Sequence, residues 1–128
     1  MGLSKRGASL KAHLDAKPGA TAHPVPAPRG GSLDAFMFKV MGKMFAVFST
    51  RGEAFVILKS DPHLIEILKE KYDGVGHRSH LDRRFWIAVD IDADVPLKEI
   101  KRLADKSYEL VCASLTRKQQ AELGRSIP

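Results

Sequence analysis

FMFKVMGKMFAVF, residues Phe36 to Phe48, consists of two apolar runs joined by Met41-Gly42. Each run is too short for a helix, and each is rich in the aromatic and β-branched residues that suit a pleated surface. Gly42 supplies the positive backbone dihedral of a tight turn, so the spacing predicts a β-hairpin of Asp34 to Val40 and Lys43 to Ser49. The two-residue period places Phe36, Phe38 and Val40 on one face of the first strand, and Met44, Ala46 and Phe48 together on the second. A second turn at Arg51-Gly52 leads into the unbroken apolar run from Ala54 to Lys59, giving a three-stranded antiparallel meander.

Outward from the meander, Asp61-Pro62 opens a helix. Asp61 offers its carboxylate to the orphan amides, and Pro62 is preorganised for the first helical position. Leu64, Ile65, Leu68 and Tyr72 share a face, and Asp73-Gly74 closes it. His77 to His80 is a candidate strand or turn. From Arg83 to Ile91 the alternation predicts a strand with Phe85, Ile87, Val89 and Ile91 inward and Arg84, Trp86, Ala88 and Asp90 on the other side. Pro96 to Leu115 carries Leu97, Ile100, Ala104, Ser107 or Tyr108, Val111 and Leu115 on one helical stripe. Thr116 and Gln119 then have capping-box spacing for a short helix within the tail 116–128. At the front, Lys5 to Ala16 is a short helix with Leu10 and Leu14 on one side, and the Pro/Gly-rich residues 18–31 read as a connector or irregular edge strand. The order is α-β3-α-β2-α with a last short helix. It predicts an α+β two-layer sandwich, an antiparallel sheet with helices on one face, in one domain over residues 1–128.

At 128 residues and 44% hydrophobic composition, the chain is the size of one core. One cysteine, Cys112, excludes an internal disulfide and points to a reducing compartment. The sequence has no apolar run of membrane-spanning length and no signal-type segment, and Arg6 stands where myristoylation wants Ser or Thr, so a cytoplasmic protein off the membrane is expected. The formal charge of +6 invites a phosphate-rich partner, but the excess is terminal: +3 over residues 1–34, 0 over 35–94 and +3 over 95–128.

Five pieces recur in order from about Pro18 onward: the Pro-Gly segment, F-K-V-x-G-K-M-F-A at Phe38 to Ala46, D-P-x-L at Asp61, a basic stretch ending at Trp86, and S-Y-E-L-V from Ser107. In this order the chain resembles the MmcQ/YjbR family of small DNA-binding-like proteins. The resemblance implies a frataxin-like (CyaY-like) or secretion-chaperone-like sandwich. It also implies DNA binding by two hairpin wings, here the Met41-Gly42 and Arg51-Gly52 turns, with Lys39, Lys43 and Arg51 near the backbone. Where the family pattern H-x-N-K-R-H-W has Asn and His, this chain has Asp82 and Phe85, and a carboxylate at Asp82 would repel phosphate.

HRSHLDRRFW, from His77 to Trp86, is the strongest functional cluster, because arginine forks grip phosphate while an adjacent indole offers a stacking surface. The plainer reading lays Trp86 over the outer face of the sheet or under the C-terminal helix and pairs the arginines with Asp82 and Asp90. His77, His80 and Asp82 fit no standard zinc spacing. Asp90, Asp92 and Asp94 lack the glycine and glutamate of a calcium loop, since Val95 and Lys101 stand there. Cys112 reads as packing, Ser107 lacks a His-Asp partner arrangement, and no phosphate-binding glycine loop occurs. The expectation is a non-enzymatic protein without cofactor or metal, monomeric or weakly dimeric, binding DNA through Lys39, Lys43, Arg51, Arg78, Arg83, Arg84 and Trp86. The alternative is a protein-interaction module using the sheet face.

Overall fold

The computed structural model describes residues 4–25, 35–50, 53–77 and 81–126. The hairpin forms as its sequence predicts, from β2 (Ala35–Val40) and β3 (Lys43–Ser49), with Met41 and Gly42 both at positive φ, 49° and 81°. Two positive dihedrals give the turn the twist of the strands it joins.

Strict alternation fails within β3. Phe36 faces Phe48 and Phe38 faces Ala46, but Lys39 faces Met44, so Phe45 is the extra residue of a bulge. Phe45 therefore turns into the core beside Ala46, where its ring lies 6.2 Å from Phe38 and 5.2 Å, edge-on, from Tyr108. Met44, expected inward, pairs instead with Lys39 and is half-buried.

Residues 20–24 correct the expected order. Despite its proline, this part of the 18–31 connector is an edge strand, β1 (Ala20–Pro24), paired along its length with β2. An edge strand tolerates proline because one side of its backbone needs no ladder partner. With β4 (Phe55–Lys59), α2 (Pro62–Lys71), β5 (Val75–Gly76) and β6 (Trp86–Asp90), the chain builds a six-stranded antiparallel sheet in the order β1-β2-β3-β4-β6-β5. The second pair is shorter than the sequence suggests: β5 ends before His77, and β6 starts only at Trp86. The earlier start fails because residues 82–85 form a turn, in which the amides of Phe85 and Trp86 donate to the Asp82 carbonyl. Phe85, expected inward, is consequently 37% exposed.

The helices follow their caps. In α1 (Lys5–Asp15) the Ser4 hydroxyl accepts from the Gly7 amide, and in α2 Asp61 accepts from the His63 amide. In α4 (Arg117–Ser126) Thr116 and Gln119 exchange reciprocal side-chain to backbone bonds. The long α3 (Leu97–Ala113) lies over β2, β3 and β4, and α1 packs on α3. Their apolar stripes meet Phe38, Val40, Phe48, Val56, Leu58, Ile87 and Val89 in one core, which Ile65 and Leu68 of α2 also join.

Ser107 fastens α3 to the sheet. Beyond Ala46 and Leu58 the β3–β4 ladder stops, leaving the Phe45 carbonyl and the Lys59 amide without each other. The fully buried Ser107 hydroxyl donates to Phe45 O at 2.6 Å and accepts from Lys59 N at 2.9 Å, replacing the missing rung. Further along, Lys43 Nζ donates to Ser114 O at 3.1 Å, covering a carbonyl at the C-terminal end of α3. Asp105 of α3 receives His13 Nε2 at 2.7 Å and Lys17 Nζ, joining α1 to it.

Ser107→Ala should strand both backbone groups and cost about 2–4 kcal/mol in denaturant unfolding; a loss below about 0.5 kcal/mol would remove the rung from the account. Gly19, at φ +73°, lies where a Cβ would collide with Leu123 of α4. Gly19→Ala should destabilise by more than about 1 kcal/mol, and Leu123→Ala in the same chain should recover only part, since the backbone strain persists. Burial tends to raise the Asp105 carboxyl, but hydrogen bonds from Lys17 and His13 outweigh it and hold the group below its ordinary value. The unfolded chain takes up that proton first, so the stabilisation is complete above about pH 5 and fades as pH falls through about 4. Asp105→Asn should cost roughly 0.5–1 kcal/mol at neutral pH and flatten the acid limb of the stability curve by the same amount.

Candidate nucleic-acid interface

The two faces of the sheet differ in cover. Most residues toward the helices are fully buried, whereas Met37, Val47, Phe55, Lys59 and Trp86, which alternate with them, are half-buried. On this more open face, pairing aligns Met37, Val47, Ile57 and Ala88 into an apolar row across four strands, in which Ile57 and Ala88 are buried and Met37 and Val47 half-buried. Lys59 and Trp86 form the neighbouring pair of β4 and β6, with Lys59 Nζ 5.9 Å from the indole centre. Lys39 occupies the same face of β2, opposite Met44.

Antiparallel return brings distant residues to one end of the sheet. β3 begins beside the Met41-Gly42 turn, β4 ends at Lys59 on that same side, and β6 begins there at Trp86. Lys39, Lys43, Lys59, Arg83, Arg84 and Trp86 therefore share an end. The other end gathers acids: Asp90 closes β6, the Ser4 hydroxyl donates to Asp92, and Asp94 accepts from the amides of Asp73 and Gly74, both at 2.8 Å. Those two amide bonds hold the Asp94 carboxyl below its ordinary value. Asp94 thus braces the turn before β5, where a Cβ on Gly74 would press on Ala93 and on the Asp94 carboxylate itself.

The expected site residues divide as follows. Lys39 and Trp86 lie on the open face, as alternation implies. Arg84 does not project from a strand beside Trp86: it precedes β6, and its guanidinium returns to Asp82 in a two-pronged pair at 2.8 and 3.1 Å, while the Arg84 amide also donates to Asp82. The Arg84 side chain and its amide lower the Asp82 pKa, and Asp82 raises that of Arg84. The Arg84 guanidinium also stands 5.2 Å from the centre of the exposed Phe85 ring. Arg83 is exposed. Lys43 points to the helix layer, where Ser114 holds it. Arg51, with the Arg51-Gly52 turn, and Arg78 and His80 fall outside the described residues.

Sequence reading missed Lys59. Its signal was present, because a lysine closing an apolar strand run and facing a tryptophan strand is a cross-strand neighbour once β4 and β6 are paired, but the pairing itself is long-range. It also missed a hollow of about 640 Å³ beside this end, lined by Pro62, His63, Lys69, His77, Arg83 and Arg84 with Glu66 and two isoleucines. His77 Nδ1 donates to Trp86 O at 3.2 Å, so this histidine helps position the tryptophan backbone.

Elsewhere, Cys112 and Tyr108 adjoin within α3. Burial first, and then Cys112, push the Tyr108 hydroxyl up to about 12, and it donates to Pro18 O. No group of three or more metal-ligating side chains occurs among the described residues, and no described helix is long and apolar enough to cross a membrane.

Comparison with known proteins agrees with this architecture. The chain is 30% identical over 94 residues to the uncharacterised protein YbdF of Escherichia coli O157:H7, covering 73% of this chain and 75% of that one. It is 33% identical over 76 residues to the uncharacterised protein YjbR of Escherichia coli K12, covering 59% and 64% respectively. The crystal structure of Deinococcus radiodurans protein DR2400, described as a DUF419 domain, superposes with a TM-score of 0.76 at 27% identity, over 91% of this chain and 86% of that one. A Pseudomonas syringae protein shares the fold with a TM-score of 0.66 at 20% identity, over 84% and 98%. The YjbR family model matches residues 15–110, which run from the end of α1 through most of α3, and the chain belongs to the YjbR family.

Proposed function

We propose that this protein binds nucleic acid with low sequence specificity and without catalysis, through the basic end of the open sheet face. The supporting observation is that Lys39, Lys59, Arg83 and Arg84 stand at the Trp86 end of the sheet, with Lys59 paired to Trp86 itself, in a stretch, residues 35–94, whose summed charge is zero. Phosphate contacts of this kind fix position and give affinity but carry no base code. Arg51 and Arg78 belong to the same reading as further phosphate contacts. Lys43 contributes charge at the rim while bound to α3. Asp82 acts as a brake: it occupies the fork of Arg84 that phosphate would otherwise take.

A second reading has its own observation. The half-buried Met37, Val47 and Phe55 on the same face suit a partner chain laid on the sheet, as in a secretion-chaperone-like or CyaY-like sandwich, and such an interface is insensitive to salt.

Fluorescence anisotropy of labelled oligonucleotides at low and physiological salt separates the two. Binding should weaken at least tenfold between about 50 and 200 mM salt. Arg84→Ala should weaken it further, since it removes a cation and frees a carboxylate, and Asp82→Asn should tighten it several-fold by releasing the arginine. Absence of binding at low salt would refute the nucleic-acid reading.

A further inference from the structure

We infer that the nucleic acid this face takes is single-stranded, with bases laid on the sheet at Trp86 and phosphates along Lys59, Lys39 and Arg84; this rests on the nucleic-acid reading above. Reading the bases of a duplex needs an element that enters a groove, a helix end or a projecting ribbon. Here α1 and α3 pack on the opposite face of the sheet, and α2 gives its apolar side to the same core. The one hairpin turn described at the basic end, Met41-Gly42, is two residues long, and Lys43 beside it is tied to Ser114. It is short and fixed, not a wing.

The open face itself offers a platform: the half-buried Trp86 indole with cations at its rim. Stacked base pairs in a duplex offer such a platform nothing but phosphates, whereas the unpaired bases of a single strand offer their flat faces to the indole. Cations from β2, β4 and the turn before β6 stand at the Trp86 end, where Asp82 holds Arg84 and Asp61 caps α2, while Asp90, Asp92 and Asp94 stand at the far end with Arg6 among them. A platform of this width holds roughly two or three bases.

Trp86 is the only tryptophan in the chain, so intrinsic emission reports this site directly. The test titrates wild-type protein with a pyrimidine-rich single strand, and with the duplex of the same sequence, at about 50 mM salt. It reads anisotropy and tryptophan emission together, with Lys59→Ala alongside. The expected result is single-strand binding on the order of tenfold tighter than duplex, with Trp86 emission quenched by the single strand and weaker binding in Lys59→Ala. Duplex binding equal or tighter, or binding with Trp86 emission unchanged, overturns the single-strand inference and leaves the nucleic-acid reading in place. No binding of either form overturns both.

Discussion

One hydroxyl decides how this sheet is covered. At Phe45, the bulged residue of β3, the β3–β4 ladder ends, a carbonyl and an amide lose each other inside the protein, and unpaired groups of that kind are costly to bury. Ser107 satisfies both from α3, so the long helix is fixed to the sheet at the point where the ladder fails. The same bulge turns Phe45 inward against Phe38 and Tyr108, filling the space between helix and sheet. Once α3 is fixed, α1 follows through the Asp105 contacts with His13 and Lys17. The serine whose neighbourhood resembles a family signature thus has a structural use.

The helices α1 and α3 commit to one face of the sheet. On the other, the fold gathers cations from a sequence neutral over residues 35–94 at the Trp86 end, with Asp61 and Asp82 among them. Antiparallel strands reverse direction at every turn, so Lys39, Lys59 and Trp86 meet at one end while Asp90 and the acids after it gather at the other. Net charge by segment misses such separation, because it depends on which ends of the strands coincide. The function proposed rests on these gathered cations, with the indole as their flat surface and Asp82 restraining the exposed Arg84.

Local chemistry was legible in the sequence wherever it acts over a few residues. The Met41-Gly42 turn, the Asp61-Pro62 start of α2, the Thr116 and Gln119 box and the inward faces of β2 and β6 all follow from spacing alone. The bulge did not, because strict alternation holds only until a strand inserts a residue, and nothing in Met44-Phe45-Ala46 marks the insertion. Residues 20–24 were left between a connector and an irregular edge strand by the prolines of 18–31, and the pairing with β2 decides for the edge strand, which tolerates Pro24. Arg84 and Phe85 were misplaced because the Asp82 carbonyl and carboxylate hold a turn that delays β6 to Trp86. Of the candidate site, Trp86 and Lys39 could be assigned to a face from alternation. Lys59 could not, since its place beside the indole requires the long-range pairing of β4 with β6.

The account stands on the open face being the binding surface, and amide chemical-shift mapping by NMR tests this most directly. With a saturating short single-stranded oligonucleotide, shifts should concentrate at Lys39, at Ile57 to Lys59 and from Arg83 to Ala88, with α1 and the α3 residues around Ser107 unchanged. Shifts confined to α1, α3 or α4, with Trp86 and Lys59 silent, would contradict it.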